Sequence, residues 1–131
     1  MIMTTSHAVI ASGILTLVML LVASTMCAKA WTPPGMAVAF GNRESVAPPY
    51  GQAGRADRAA RNMLEGMAMF LAVVLAAQLA GKSAQIATWA SVFFWARLIY
   101  WPVYVVGIIY LRTAVWFVSI IAILMIAYQV W

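Results

Sequence analysis

Two short stretches of the sequence carry charged, amide and phenol side chains at a spacing that places them on one helix face. In the first, positions 58, 61, 62 and 65 follow an i, i+3, i+4, i+7 pattern. The second repeats that pattern at positions 97, 100, 101 and 104. The residues concerned are Arg58, Arg61, Asn62, Glu65, Arg97, Tyr100, Trp101 and Tyr104. Because hydrogen-bond donors outnumber carboxylates in this set, the pattern indicates a binding site for a small anion.

Two of these charges are predicted to lie deep in a membrane. Glu65 is ten residues beyond Arg55, and Arg97 is ten residues before Gly107. At ~1.5 Å per residue both lie about 15 Å from the same helix ends. A lone charge at that depth costs at least ~2.5–3.5 kcal/mol, so we expect Glu65 and Arg97 to form an ion pair. Two interpretations stay open: the pair fixes helix register only, or it forms the floor of a functional site.

Nearer the helix ends, the remaining polar residues predict a net-positive pocket. Arg112 opens the last apolar segment and joins the arginines and tyrosines named above. The chain has eight basic and three acidic residues, so these cations lack enough carboxylates to neutralise them. Pro102 removes one helix hydrogen bond and permits a kink beside Tyr100 and Tyr104. The alternative is that Arg55, Arg58 and Arg112 are helix-end residues that extend their side chains to the membrane surface.

The elements that position these residues are predicted from hydropathy. Hydrophobic residues make up 66% of the chain and charged residues 8%, with a mean hydropathy of +0.95, whereas globular domains are about 25% charged. Long apolar segments reach the ~20 residues needed to cross ~30 Å of hydrocarbon. The expected spans are residues 8–28, 57–80, 84–106 and 113–131. The sequence thus predicts an all-α membrane protein, a four-transmembrane-helix bundle in a single domain over residues 1–131.

The basic residues predict the orientation of the bundle. The loop 29–56 and the last turn lie on one side with six cations, whereas Lys82 alone lies on the other. Those six are Lys29, Arg43, Arg55, Arg58, Arg61 and Arg112. Positively charged loops stay in the cytoplasm. We therefore expect a cytoplasmic loop 29–56, both termini outside, and the pocket open to the cytoplasm.

Several classes of function are disfavoured. His7 is the single histidine and lies far from the pocket, and Cys27 is the single cysteine. The sequence holds no metal-ligand spacing, carboxylate dyad or phosphate loop, so we expect no metal, and a bound cofactor or co-substrate must supply any reactive atom. The net charge of +5 sits at helix ends rather than along a polar surface, so nucleic acid is not the expected partner. The expected partners are the bilayer and a small anion.

These residues also carry a family resemblance. The run R-x-x-R-A-x-R-N-x-x-E over positions 55–65 resembles the second helix of the MAPEG family, the membrane-associated proteins in eicosanoid and glutathione metabolism. The runs R-x-x-Y-x-P-x-Y over 97–104 and L-R-T-x-x-W over 111–116 are similar to its third and fourth helices. The likeness covers about residue 41 to the C-terminus and is nearest to the bacterial members. A bacterial inner membrane is the expected location.

The resemblance implies a homotrimer that binds glutathione as co-substrate between neighbouring subunits. It implies that Glu65 takes the amine of the tripeptide, and that the arginines take its carboxylates. The implied glutathione-binding residues are Arg58, Arg61, Asn62, Glu65, Tyr100 and Tyr104. Arg112 corresponds to the arginine that stabilises the thiolate in family members that make leukotrienes and prostaglandins. Arg43 has no clear counterpart in the family, and its role stays open.

The implied activity is that of a glutathione-dependent transferase or peroxidase acting on lipophilic electrophiles. The sequence departs from the prostaglandin synthases at four positions: Ala60 and Tyr100 replace His, Thr113 replaces Ser, and Trp116 replaces Tyr. No eicosanoid specificity follows from the resemblance. The lipophilic substrate stays open, as does the choice between glutathione and another thiol. Two alternatives remain: a non-catalytic lipid- or partner-binding scaffold of the family, and a small transporter. The transporter is disfavoured because no span carries a midplane polar relay.

Overall fold

A computed structural model describes residues 1–44 and 46–131. Within those residues the chain forms five helices, α1 Thr5–Ala28, α2 Pro33–Phe40, α3 Gly51–Leu79, α4 Ala87–Val106 and α5 Ile109–Val130. All but α2 are long and apolar enough to cross a membrane. The predicted all-α class with four membrane-crossing helices is therefore confirmed.

The four long helices form a bundle in which α3 and α4 are central. Each of these two contacts the other three long helices, whereas α1 and α5 do not touch each other in the described residues. The rings of Phe70 and Phe93 stack at 4.1 Å between centroids and join α3 to α4. Small side chains such as Ala59 and Ala90 are fully buried and allow the helices to approach closely.

The connections of the bundle explain which residues meet at its ends. Two residues join α4 to α5, and Gly107 adopts φ 97°, a left-handed conformation that glycine accepts without steric cost. Arg55 Nε donates to the carbonyl of Val105 at 2.8 Å. Arg55 thereby caps the C-terminus of α4, which places the start of α3 beside the start of α5. We call this end, where α1 and α4 finish and α3 and α5 begin, the basic end.

The sequence did not predict α2. Lys29 ends α1 in a left-handed conformation, and the Thr32 hydroxyl donates to its carbonyl at 2.9 Å. The same hydroxyl accepts from the N–H of Gly35 at 3.1 Å and caps α2, whose first turn begins with two prolines. Gly35 lies so close to the carbonyls of Ala28 and Lys29 that no side chain fits. This elbow packs α2 firmly against the end of α1.

Helix boundaries differ from the predicted spans because helices continue past their apolar parts. α1 begins before residue 8, α3 before residue 57 and α5 before residue 113. α4 begins after residue 84, since a hydrogen-bonded turn occupies the residues before Ala87. The predicted loop 29–56 contains α2 and residues 51–56 of α3. Ser45 in that loop lies outside the described residues.

The elbow gives a first prediction. Gly35→Ala should lower the free energy of unfolding by about 1–3 kcal/mol, because the new methyl group overlaps two backbone carbonyls that cannot move independently. Gly13→Ala in α1 is the matched control, since open space surrounds Gly13. Thermal unfolding in detergent compares the two variants. Equal stability would contradict the close packing of α2 on α1.

Candidate functional site

The cleft of interest opens at the basic end between α3, α4 and α5. It has a volume of about 220 Å³. Six residues line it: Asn62, Tyr100, Tyr104, Arg112, Thr113 and Trp116. α3 contributes the amide, α4 the two phenols, and the first two turns of α5 the rest. Four of these residues belong to the predicted site, and the structure brings them together from three helices.

Aromatic stacking holds the cation of the cleft in place. The guanidinium carbon of Arg112 lies 4.6 Å from the centroid of the Tyr104 ring. Tyr104 in turn packs edge-on against Tyr100, with 5.4 Å between their ring centroids. A guanidinium over an aromatic face gains about 0.5–2 kcal/mol and keeps its hydrogen-bond donors free at its edge. Arg112 is half-buried, so its charge is positioned at the wall of the cleft.

Behind the cleft lies the second cation, Arg97, which is only 1% exposed. Its Nη1 donates to Oδ1 of Asn62 at 2.7 Å. Its guanidinium carbon lies 5.4 Å from the ring centroid of Phe93 and 5.5 Å from that of Tyr100. The guanidinium also lies against Gly66, where even a methyl group would overlap it. Arg97 is thus enclosed by residues of its own chain: the amide of Asn62, the rings of Phe93 and Tyr100, and the backbone of Gly66, which leaves space for the guanidinium.

The arrangement corrects the predicted ion pair between Glu65 and Arg97. Within the described residues of the chain, the single ion pair joins Arg61 to Asp57 at 3.0 Å, and the side-chain acceptor of Arg97 is Asn62. The reason is angular. Successive helix residues lie about 100° apart. Gly66 is the residue that meets the Arg97 guanidinium, whereas Glu65 lies about 100° further round α3 and is exposed. Counting residues along the helices predicted how deep the two charged residues lie, but it did not predict which way their side chains point.

The other predicted ligands of the anion lie on the outer face of α3. Arg58 and Glu65 are exposed, and the side chain of Arg61 is 73% exposed beside Asp57. None of these three lines the cleft. A single chain therefore presents two polar surfaces, a cleft with Arg112 and an outer face of α3 with Arg58, Arg61 and Glu65.

Two residues that support the site were missed by the sequence analysis. Gly66 provides the space for Arg97, and Phe93 covers one face of its guanidinium. Gly66 could have been suspected, because a glycine in the middle of a helix usually marks a close approach. Phe93 gave no signal, since a phenylalanine in a membrane span is unremarkable in the sequence. Both define where Arg97 can lie.

The electrostatics of the cleft favour an anion. Its lining carries the Arg112 guanidinium and the hydroxyl and amide groups of Thr113, Asn62 and the tyrosines, and no carboxylate among the described residues. Arg97 adds a second positive charge one side chain deeper. No group of metal-binding side chains occurs in the described part of the chain. Charge stabilisation of a bound nucleophile is the chemistry that these residues can supply.

The support of Arg97 gives a second prediction. Asn62→Ala should lower the free energy of unfolding by about 1.5–3 kcal/mol, because a buried guanidinium loses its side-chain acceptor. Asn62→Asp keeps an acceptor at that position and adds a compensating charge, so it should retain most of the stability. Thermal unfolding in detergent measures both variants. An Asn62→Ala variant as stable as the wild type would show that Arg97 does not depend on this bond.

Comparison with known proteins agrees with this architecture. The model of the MAPEG family matches residues 4–130, nearly the whole chain. No curated protein and no solved structure shows significant similarity to it. Membership of this family supports, in general terms, a glutathione-related transferase or peroxidase role in a membrane, or a scaffold role. With four membrane-crossing helices and a match of this extent, the chain is an integral membrane protein that belongs to the MAPEG family.

Proposed function

We propose that the protein is a glutathione-dependent transferase or peroxidase that acts on lipophilic electrophiles. One observation carries the proposal: Arg112 is held over Tyr104 at the wall of a cleft whose described lining residues include no carboxylate. Such a site stabilises an anion more than its neutral acid. The thiolate of glutathione is an anion of this kind, and the family supports glutathione-related chemistry.

In the proposed mechanism the chain's residues lower the cost of forming the thiolate. A free thiol has a pKa near ~8.5, so little thiolate is present at pH 7. Each pKa unit of lowering requires about 1.4 kcal/mol of preferential stabilisation of the thiolate, which an adjacent guanidinium can provide. Arg112 is assigned this role, and the tyrosine hydroxyls of the cleft can donate hydrogen bonds to the sulfur, whereas the Thr113 hydroxyl donates to the carbonyl of Ile109.

The thiolate sulfur then displaces a leaving group from an electrophilic carbon of the second substrate. With a peroxide it attacks one oxygen, the O–O bond breaks, and the other oxygen leaves as an alkoxide that takes up a proton. The sulfenic acid formed on glutathione then reacts with a second glutathione to give the disulfide and water.

The cleft of one chain supports an assembly with further copies. Its volume of about 220 Å³ is below the ~300 Å³ at which small-molecule sites begin. Glu65 is exposed on α3 at a depth where a lone charge costs at least ~2.5–3.5 kcal/mol. A second copy would cover that charge and enlarge the cleft. We propose a homotrimer in which Arg58, Arg61 and Glu65 of α3 bind the charged ends of glutathione across the subunit contact.

The lipophilic substrate is proposed to reach the cleft from the bilayer. The residues that flank Arg112 on α5 include exposed apolar side chains, Tyr110 and Leu111 among them, which face lipid in a membrane. A substrate dissolved in the bilayer would meet the thiolate at this edge without entering water. The excess of basic residues at the basic end supports a cytoplasmic position for the cleft. The termini would then lie outside.

A scaffold role is the second candidate, and specific residues favour it. Tyr100 and Trp116 both line the cleft. At the corresponding positions the prostaglandin synthases of the family carry His and Tyr. Trp116 lacks the phenol hydroxyl that a tyrosine could donate to a thiolate, which favours a site that holds a ligand without turnover. The two candidates differ in the form of bound glutathione: a transferase should bind it as the thiolate, and a scaffold should bind it with its thiol protonated.

The thiolate role gives a third prediction. Arg112→Ala should abolish the ultraviolet absorbance of bound thiolate and lower turnover of a generic aryl halide at least ten-fold, because the fixed charge beside the sulfur is lost. Much of the affinity for glutathione should remain, since the arginines of α3 would still bind the carboxylates of the tripeptide. Arg112→Lys should retain part of the thiolate signal, because it keeps the charge but not the planar contact with Tyr104.

Arg61→Ala is the matched control for that experiment. It removes an exposed arginine outside the cleft, so it should weaken glutathione binding before it affects thiolate formation. If wild-type protein binds glutathione without thiolate absorbance between pH 6 and about 8.5, the transferase proposal fails and the scaffold candidate replaces it.

The assembly gives a fourth prediction. Light scattering in detergent should give the molar mass of three chains, because the charge of Glu65 must be covered in the membrane. Glu65→Leu is expected to keep the fold and to change the affinity for glutathione, since its side chain lies outside the core of the single chain. A monomeric wild-type protein with full glutathione affinity would contradict the proposed trimer.

A further inference from the structure

The short helix α2 is a conspicuously apolar surface outside the spans. Its eight residues include no charged or polar side chain. Phe40 is 86% exposed and Met36 46% exposed, and Trp31 just before the helix is 70% exposed. Among the five helices in the described part of the chain α2 contacts α1 alone, and residues of the following loop lie beside Ala37 and Val38. The parts of this apolar helix that carry Met36 and Phe40 are left exposed by the described residues of the chain.

The position of α2 is set by the elbow rather than by a flexible linker. The Thr32 hydroxyl bonds and the contact of Gly35 with two carbonyls fix the first turn of the helix at the end of α1, whereas no such contact among the described residues holds the last turn with Phe40. At ~1.5 Å per residue α2 is about 12 Å long, too short to cross ~30 Å of hydrocarbon. It follows a span directly, so it begins where that span leaves the hydrocarbon core. An apolar helix held at this level lies next to the boundary between acyl chains and headgroups.

Cations flank α2 on both sides, and with Glu44 next to the second cation the flanks keep a net positive charge. Lys29 precedes it and is exposed. Arg43 follows it, and its Nη2 donates to the carbonyl of Ala39 at 3.2 Å, which holds the guanidinium at the end of the helix. A surface that is apolar in the centre and cationic at both ends is complementary to a leaflet with acyl chains below anionic headgroups.

A second copy of the chain offers a poorer complement. The whole chain has three acidic residues, of which Asp57 is paired with Arg61, and Glu65 lies deep on α3. This leaves Glu44, which itself lies beside Arg43. A copy docked on α2 would therefore bring more cations to Lys29 and Arg43 than carboxylates.

We propose that α2, with Trp31 and the flanking Lys29 and Arg43, is a membrane-surface anchor that inserts into the headgroup–acyl boundary of an anionic leaflet. Trp31 and Phe40 enter the boundary, and the two cations bind lipid phosphates at its surface. The anchor fixes the depth of the basic end in the membrane. It does not depend on the reaction that the cleft performs.

Nitroxide labels on single cysteines test the anchor in vesicles. The native thiol is removed by Cys27→Ala, and the labels are placed by Met36→Cys or Phe40→Cys, at exposed positions that tolerate them. Relaxation by molecular oxygen reports the acyl region, and relaxation by a neutral nickel chelate reports water. In vesicles containing phosphatidylglycerol, both labels should be accessible to oxygen and protected from nickel.

Two control positions define the scale of that measurement. Glu44→Cys should report water, and Leu17→Cys on the exposed face of α1 should report lipid. Labels on α2 that match Glu44→Cys would overturn the proposal, because the helix would lie in water. Labels on α2 that are protected from both reagents would also overturn it, since protein would then cover the helix.

A second arm tests the charge of the lipid. In pure phosphatidylcholine vesicles the ratio of inserted to uninserted α2 should fall by about five-fold for each basic residue near the surface. The double variant Lys29→Gln, Arg43→Gln should remove this dependence on lipid charge. Equal nickel protection in both lipids with wild-type flanking residues would overturn the requirement for an anionic leaflet.

Discussion

The enclosure of Arg97 is the constraint on which the rest of the site depends. A guanidinium in the middle of a membrane span is tolerated only where protein surrounds it. Here Asn62 accepts its hydrogen bond, Phe93 and Tyr100 cover it, and Gly66 leaves the space that it fills. The contacts with Asn62 and Gly66 join α3 to α4, and the contact with Tyr100 orders a residue of the cleft. The charge therefore fixes both the packing of the central helices and the position of Tyr100.

From Tyr100 the constraint extends to the surface of the cleft. Tyr100 packs edge-on against Tyr104, and Tyr104 carries the guanidinium of Arg112 over its face. This continuous series of contacts runs from the buried cation to the exposed one. It keeps two positive charges on the same side of α4 without a carboxylate between them among the described residues. A thiolate bound at Arg112 would then feel both charges, with the nearer one dominant.

The sequence predicted the fold well because the fold depends on the length of each apolar segment, which can be counted from consecutive residues. It also placed Asn62, Tyr100, Tyr104 and Arg112 in one site, since helix spacing and the level of each residue are readable from the chain. It failed in predicting the partner of Arg97: the guanidinium bonds Asn62 and lies against Gly66. Glu65, at a similar depth, is exposed and forms no ion pair with Arg97 among the described residues. The elbow before α2 was missed because prolines and a glycine were interpreted as loop residues only. The role of Gly66 was missed because the space beside it is filled by Arg97 from another helix, and a pattern of neighbouring residues does not show which helix packs there.

Proton release on binding tests the central claim most directly. Calorimetric titration of the purified protein with glutathione, repeated at pH 7 in buffers of different ionisation enthalpy, counts the protons released. A free thiol with a pKa near ~8.5 is almost fully protonated at that pH. If the cleft stabilises the thiolate, glutathione should release about one proton per site, and S-methylglutathione, which has no thiol proton, should release none. Binding of glutathione without proton release would contradict the account.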